Sequence, residues 1–135
     1  MGFPISLVTA HRTHGDVLTA GTAKTTYATH GCANGKFRPK TARFVPFTTA
    51  AADASNYSTI AIKDAAGTPV SLGSITSATV ANTAGTSRAI ALTLTAEADI
   101  ASTQVLQIAI TKTGTGAVVD GEVVIEWERL PGDTF

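Results

Sequence analysis

The residues best suited to chemistry lie near the N-terminus, where the three histidines and the single cysteine of the chain occur. The four candidates are His11, His14, His30 and Cys32. Nitrogen and sulfur donors of this kind and number suit a tetrahedral zinc ion. However, the spacing H-x2-H-x15-H-x-C matches no standard structural-zinc pattern, and the long spacer is rich in Thr, Ala and Gly. We therefore expect surface or interface histidines and a partly buried thiol, with no metal and no cofactor.

Other catalytic arrangements find little support in the sequence. The stretch HGCANGKF at 30–37 differs from a phosphate-binding loop, because the spacing to Gly-Lys is one residue short and Phe37 stands where Ser or Thr would bind magnesium. Beyond residue 32 there is no histidine or cysteine, so acid–base chemistry would depend on scattered carboxylates. We expect that the chain is not an enzyme and takes no small-molecule substrate.

The elements that would have to position any site are strands. From residue 36 onward, apolar and polar residues alternate with a period of two, short runs are separated by turn signals, and no amphipathic helix of normal length occurs. This pattern predicts an all-β fold, an antiparallel β-sandwich of jelly-roll or immunoglobulin-like type. The residues expected to face its core are Ile60, Ile62, Ile90, Leu92, Leu94, Leu106, Ile108, Ile110, Val123, Ile125 and Trp127.

The first 35 residues lack sustained periodicity and predict a different organisation. We interpret residues 1–35 as an extended N-terminal arm, with one or two short strands, preceding a β-sandwich domain at 36–135. A single cysteine excludes an internal disulfide, so stability must come from packing or assembly. No apolar run approaches the roughly 18 residues of a membrane helix, and the N-terminus lacks the basic region of a signal peptide. We expect no association with a membrane.

Charge is scarce and unevenly distributed. Charged residues make up 15% of the chain, which favours a protein packed against something else. Residues 1–43 hold six basic residues and one acid (+5), whereas 44–135 hold four basic and nine acidic residues (−5). Either the arm meets an acidic partner, or it packs on its own acidic body or on a neighbouring copy. Aromatic residues interleave with the basic cluster, but the acidic body would repel phosphates, so we expect no nucleic acid.

Three stretches carry a resemblance to a known class of proteins. They are KTARFVPFTTAAADASNYSTIAIKD at 40–64, AIALTLTAEADIAST at 89–103 and VLQIAITKTGTGAVVDGEVVIEWE at 105–128. In the pattern of residues along the chain, they resemble small virion structural proteins of tailed bacteriophages, in particular the capsid decoration or cement proteins. The resemblance implies a β-sandwich attached to the outside of an icosahedral shell, with the major capsid protein as partner. It also implies a homotrimer located on the capsid surface of the virion, made in the host cytoplasm, with no cofactor and no activity.

The expected function is therefore that of a structural virion protein that binds the outer surface of a phage capsid and stabilises or decorates it. Two alternatives stay open. One is another virion β-module, such as a head fibre base, a spike or a tail component. The other is a carbohydrate- or surface-binding module, which would need exposed aromatic residues such as Tyr27 or Tyr57. The residues expected to bind the partner are the apolar N-terminal anchors and the basic cluster: Phe3, Ile5, Leu7, Val8, Arg12, Lys24, Lys36, Arg38, Lys40 and Arg43.

Overall fold

The computed structural model describes residues 6–13, 23–29, 37–64, 71–93 and 105–129. This part of the chain contains eight strands and no helix. The strands are β1 (Ser6–Arg12), β2 (Ala23–Thr29), β3 (Phe37–Pro46), β4 (Tyr57–Asp64), β5 (Ser71–Thr76), β6 (Arg88–Ile90), β7 (Val105–Thr113) and β8 (Gly121–Arg129).

The strands form two antiparallel sheets of four strands each. Sheet A has the order β1-β8-β3-β6, and sheet B has the order β2-β7-β4-β5. The chain therefore pairs strand 4 with 5, 3 with 6, 2 with 7 and 1 with 8, as a single long hairpin does when it is wrapped over two sheets. This is the strand order of an eight-stranded jelly roll. It confirms the predicted antiparallel β-sandwich and selects the jelly roll over the immunoglobulin-like alternative.

The predicted core lies between the two sheets. Because successive side chains of a strand point to opposite faces, the period of two places one apolar set inward on each strand. On β4, for example, Ile60 and Ile62 are buried, as are Val123, Ile125 and Trp127 on β8. Most of the other predicted core residues belong to the same buried cluster, namely Ile90, Leu106, Ile108 and Ile110. Leu92 is only partly buried, and Leu94 lies outside the described residues.

Strand β3 contains Pro39 and Pro46, and proline within sheets is usually confined to edge strands, strand ends and bulges. It lies between β8 and β6 in sheet A. This is possible because β6 pairs with β3 only at Ala42, Arg43 and Phe44, so no described strand lies beside Pro39 on the β6 side. On the other side, the register with β8 shifts between Pro39 and Thr41, a β-bulge that accommodates the irregularity.

Two strands of the predicted arm are parts of the sandwich. Strand β1 pairs with β8 along all seven of its residues, and β2 pairs with β7 in the same way. Their inner faces reach the core, because Leu7 packs against the buried cluster and Ala28 is fully buried within it. The described part of residues 1–35 therefore completes one edge of each sheet.

The loops after β3, β5 and β7 meet at one end of the sandwich. The bridge between Ala50 and Asn82 joins the first two loops, with backbone hydrogen bonds of 2.8 and 2.9 Å. Thr115 donates its N–H to Asn56 Oδ1 at 2.9 Å and so joins the third. Gly114 adopts φ +64°, and a Cβ there would lie 2.4 Å from Asn56 Oδ1, so this turn requires glycine. We call this region the loop end (residues 47–56, 77–87 and 114–120).

The side of the sandwich formed by β5 and β6 is closed by direct contact between the sheets. Thr93, just after β6, donates its N–H to the carbonyl of Leu72 on β5 at 2.7 Å. A Cβ on Gly73 would lie 2.1 Å from the carbonyl oxygen of Ala91, so only glycine permits this approach. Since β1 and β2 are the opposite edges of their sheets, they lie together on the other side.

Truncation of the core should be costly. Ile108 is 1% exposed, and we expect Ile108→Ala to lower the free energy of unfolding by about 2–5 kcal/mol, because it removes buried methyl groups and leaves a cavity. Val80 is 52% exposed, so the control Val80→Ala should change stability by no more than about 0.5 kcal/mol. Urea unfolding followed by circular dichroism measures both. Equal effects would contradict the assignment of the core.

Candidate functional site

An exposed arginine lies over an aromatic ring at the end of β1. The guanidinium carbon of Arg12 is 4.8 Å from the centroid of the Phe47 ring, and Nη2 of Arg12 donates to Asp120 Oδ1 at 2.8 Å. The Arg12 side chain is 53% exposed and Phe47 is 45% exposed, so both groups are accessible while they hold each other in place. A cation over an aromatic face is attracted by the negative potential of the ring.

The surroundings of Asp120 fix this arrangement. The second oxygen of its carboxylate accepts a hydrogen bond from Thr48 Oγ1 at 3.1 Å, and its backbone carbonyl accepts the N–H of Phe47 at 2.7 Å. The end of β1 is held by Thr13, which is buried and donates its N–H to the carbonyl of Gly121 at 3.0 Å. Three separate segments thus position one cluster, which we call the Arg12 platform (Arg12, Phe47, Thr48 and Asp120).

The outer face of sheet A continues from the platform along β1. Exposure alternates strictly along this strand, and Val8 points outward with 60% of its surface exposed. Val8 is in register with Glu126 of β8, and Ala10 is in register with Val124. The face therefore presents aliphatic side chains beside the guanidinium of Arg12, within a setting of charged residues.

The basic residues of β3 pair with the acidic residues of β8. Nε of Arg38 donates to Glu128 Oε1 at 2.8 Å, and Nζ of Lys40 lies 3.8 Å from Glu126 Oε1. Together with Arg12, these contacts are the arrangement in which the basic segment packs on its own acidic body. Partly exposed pairs of this kind contribute about 0–1 kcal/mol each, so they orient the side chains more than they stabilise the fold.

Arg43 is the basic residue of β3 that remains available. It is exposed and in register with Val124 on one side and Ala89 on the other, neither of which carries a charge. Within the described ranges no carboxylate lies within ion-pair distance of its guanidinium. Its positive charge is thus directed to solvent near the middle of the outer face of sheet A.

Five more residues are predicted to bind a partner, of which two lie in the described part of the chain and three lie outside it. Leu7 points inward and packs against the core, so it serves packing within the chain, and its neighbour Val8 is the outward residue. The backbone of Lys24 belongs to β2. Phe3, Ile5 and Lys36 lie outside the described residues.

The outer face of sheet B has a different character. Its central row crosses four strands through Thr25, Ala109, Ala61 and Ser74. The next row contains Lys63 in register with an uncharged glutamine of β7. The centre of this face is made of small uncharged side chains, and Lys63 and the exposed Tyr27 lie in the row beside it. The outer face of sheet A differs because it combines ion pairs with the exposed aliphatic side chain of Val8.

Of the four candidate metal ligands, only His11 lies in the described part of the chain; His14, His30 and Cys32 do not. Among the described residues, no group of three or more His, Cys, Asp or Glu side chains is placed to hold a metal ion. His11 instead ends a chain of hydrogen bonds from the core. The indole Nε1 of Trp127 donates to Thr9 Oγ1 at 2.8 Å, and Oγ1 lies 2.8 Å from His11 Nε2.

This geometry suits a neutral imidazole. Thr9 accepts the indole hydrogen, so its own hydroxyl hydrogen is available for donation to Nε2 of His11. Partial burial also lowers the pKa of His11, because desolvation disfavours the imidazolium. His11 therefore links β1 to the core as a neutral hydrogen-bonding group.

Sequence reasoning identified Arg12 but missed the residues that hold it. Phe47, Thr48 and Asp120 follow no motif, and they approach Arg12 only because β1 and β3 flank β8. The one signal available was that Phe47 follows Pro46, where the alternation of β3 ends. Of the two tyrosines considered for exposure, Tyr27 is 64% exposed and Tyr57 is half-buried.

Comparison with known proteins finds no match to any family model and no matching curated protein. Separately, the described part of the chain contains no helix with the length and apolar character needed to cross a membrane.

Acid should destabilise the fold through His11. Its pKa in the folded protein is lower than the ordinary value of 6.5, so between these two pKa values the unfolded chain binds more protons. The free energy of unfolding therefore falls as the pH falls through that window. His11→Gln keeps a hydrogen-bonding partner for Thr9 but cannot titrate. We expect its stability relative to the wild type to be constant at high pH and to rise below the ordinary histidine pKa.

Urea unfolding of both proteins across this pH range measures the difference, in which the other two histidines cancel because both proteins carry them. Stability curves that stay parallel throughout the range would show that folding does not depress the pKa of His11.

Proposed function

We propose that this chain is a structural virion protein that binds the outer surface of a phage capsid and stabilises or decorates it. The partner is the major capsid protein, and the chain acts as a homotrimer on the capsid surface of the virion. The observation that carries the proposal is the Arg12 platform, continued by Val8 on the outer face of sheet A. The resemblance of residues 40–128 to capsid decoration proteins supplies the identity of the partner.

The platform has the composition of a protein-binding hot spot. Arginine and aromatic residues contribute most to binding at protein interfaces, and they do so where neighbouring groups exclude water. Here Asp120 and Phe47 already hold Arg12 in one orientation. Little side-chain entropy is then lost when a partner docks, which favours affinity. A capsid surface offers the same small contact many times over, so a modest interface suffices for each copy.

The charged outer face of sheet A supports docking in a second way. The paired residues of β3 and β8 present alternating charges, and Arg43 adds a positive charge that no carboxylate of the described residues pairs. Such charges at the rim of an interface orient and accelerate docking more than they determine affinity. Partly exposed ion pairs also exchange partners at little cost, so Arg38 and Lys40 can turn towards acidic groups of a partner.

The fold by itself is compatible with more than one role. Jelly rolls occur in viral capsid proteins, in lectins and in cupins, so fold alone does not decide function. The exposed ring of Tyr27 is the observation that favours the second candidate, a carbohydrate-binding module, because sugars stack on exposed aromatic faces. Tyr27 lies on sheet B, away from the Arg12 platform, so the two functions predict different sensitive residues.

Loss of the platform should weaken attachment to capsids. We expect Arg12→Ala and Phe47→Ala each to raise the protein concentration needed for half-occupancy by at least about tenfold, since hot-spot truncations cost more than about 1.4 kcal/mol. Co-sedimentation with purified candidate phage heads measures occupancy. Lys63→Ala, on the outer face of sheet B, is the matched control and should leave binding unchanged.

Full occupancy of the heads by both platform variants would show that the outer face of sheet A is not the docking face. Binding to tails or fibres in place of heads would favour another virion β-module. Binding to glycans that is lost in Tyr27→Ala would favour the carbohydrate-binding candidate.

Neutralisation of Arg43 should lower the rate at which the protein associates with phage heads. Because its charge faces solvent on the docking face, Arg43→Gln should slow association with heads and flatten the dependence of the association rate on salt, with little change in dissociation. Surface plasmon resonance over a series of salt concentrations separates the two rates. An altered dissociation rate with unchanged association would contradict a steering role.

A further inference from the structure

The side of the sandwich opposite the closed β5–β6 side presents two open strand edges. Strand β1 pairs only with β8, and β2 pairs only with β7, so within the described part of the chain no strand pairs with the other edge of either one. Stacked sheets lie about 10 Å apart, so the two open edges run side by side on this surface. Each edge presents backbone N–H and C=O groups that an added strand would satisfy.

These two edges lack the features that protect the other two. Strand β6 is only three residues long, and the pairing of β5 with β4 is interrupted by a register shift. Short strands and bulges both discourage the addition of a further strand. In contrast, β1 and β2 are each seven residues long, pair without a register shift and contain no proline.

Each open edge also carries one large exposed apolar side chain near its middle. Val8 on β1 is 60% exposed, and Tyr27 on β2 is 64% exposed. Both belong to the outward-facing set of their strand. A β-branched side chain opposite an aromatic ring is a favourable cross-strand pair, so the two residues complement each other if the two edges meet.

We propose that β1 of one copy of this chain pairs antiparallel with β2 of the next copy, and that repetition of this contact closes a ring. With Thr9 opposite Thr26, all seven residues of both strands are used. Val8 then lies opposite Tyr27 on the outer face, and Leu7 lies opposite Ala28 on the inner face. The inference deepens the proposed self-assembly by naming the surface through which copies join.

A contact between β1 and β2 accounts for both open edges, whereas a contact between two copies of the same strand accounts for only one of them. If β1 met a second β1 in the corresponding register, Val8 would face Ala10, and β2 would need a separate partner. A contact between β1 and β2 uses one edge of each kind, so a closed ring leaves neither of these two edges open. The charge pattern permits it, because Arg12, the one Lys or Arg of β1, would lie opposite Ala23, and Lys24 of β2 would lie opposite the neutral His11.

A charge-swap experiment tests both the contact and its register. Val8 is in register with Glu126 of its own chain, so Val8→Lys gains a favourable neighbour and should leave the fold intact. In the V8K/Y27K variant, lysines would lie directly opposite each other between copies, whereas V8K/Y27E places opposite charges there. Both variants remove the same apolar groups, so they form a matched pair. Circular dichroism confirms that each remains folded.

Sedimentation velocity over a concentration series is the measurement. We expect the wild type to form a closed oligomer, V8K/Y27E to retain it, and V8K/Y27K to require at least about tenfold higher concentration for assembly. A wild type that stays monomeric throughout, or a V8K/Y27K variant that assembles as well as V8K/Y27E, would overturn the inference. Binding to phage heads is measured separately, so failure of either proposal leaves the other testable.

Discussion

The hydrogen bond from the indole of Trp127 to Thr9 connects the core of this protein with its surface. Trp127 is fully buried, and its N–H must find an acceptor because a buried unpaired donor costs about 1–3 kcal/mol. The acceptor comes from β1, which ties that strand to β8 in one register. A slip of one residue would turn Val8 inward and Leu7 outward. The same register brings Arg12 to Asp120, so the core determines the geometry of the platform.

The distribution of charge follows from the same strand order. The basic residues of β1 and β3 lie on either side of β8, which carries three of the acidic residues. Part of the opposite charge of the two parts of the sequence is thus brought together on one face, as the pairs of Arg38 and Lys40 show. Among the described residues of this face, local charge remains at Arg43 and at the Arg12 platform.

The molecule is constrained unequally around its surface. The loop end is held by side-chain and backbone hydrogen bonds among three loops, and the β5–β6 side is closed by a contact that requires Gly73. The opposite side presents the edges of β1 and β2, which no other strand of the described residues covers. A rigid end that carries an exposed arginine and a side with two such strand edges suit different contacts. In the proposed assembly the first meets the capsid and the second meets another copy.

The order of apolar and polar residues was enough to predict the class of fold and the inward faces of most strands. Alternation with a period of two is a local property, and it correctly assigned Ile62, Ile108 and Trp127 to the core. It could not determine which strands pair, because pairing depends on contacts between residues far apart in the chain. For that reason the period left the neighbours of β3 undetermined, and in the structure β8 pairs along it while the short β6 covers it only beyond Pro39. The same limit applies to the platform. Arg12 stood out in the sequence as a charge, but Phe47 and Asp120 reach it only when β1 and β3 flank β8, which depends on pairing between distant parts of the chain.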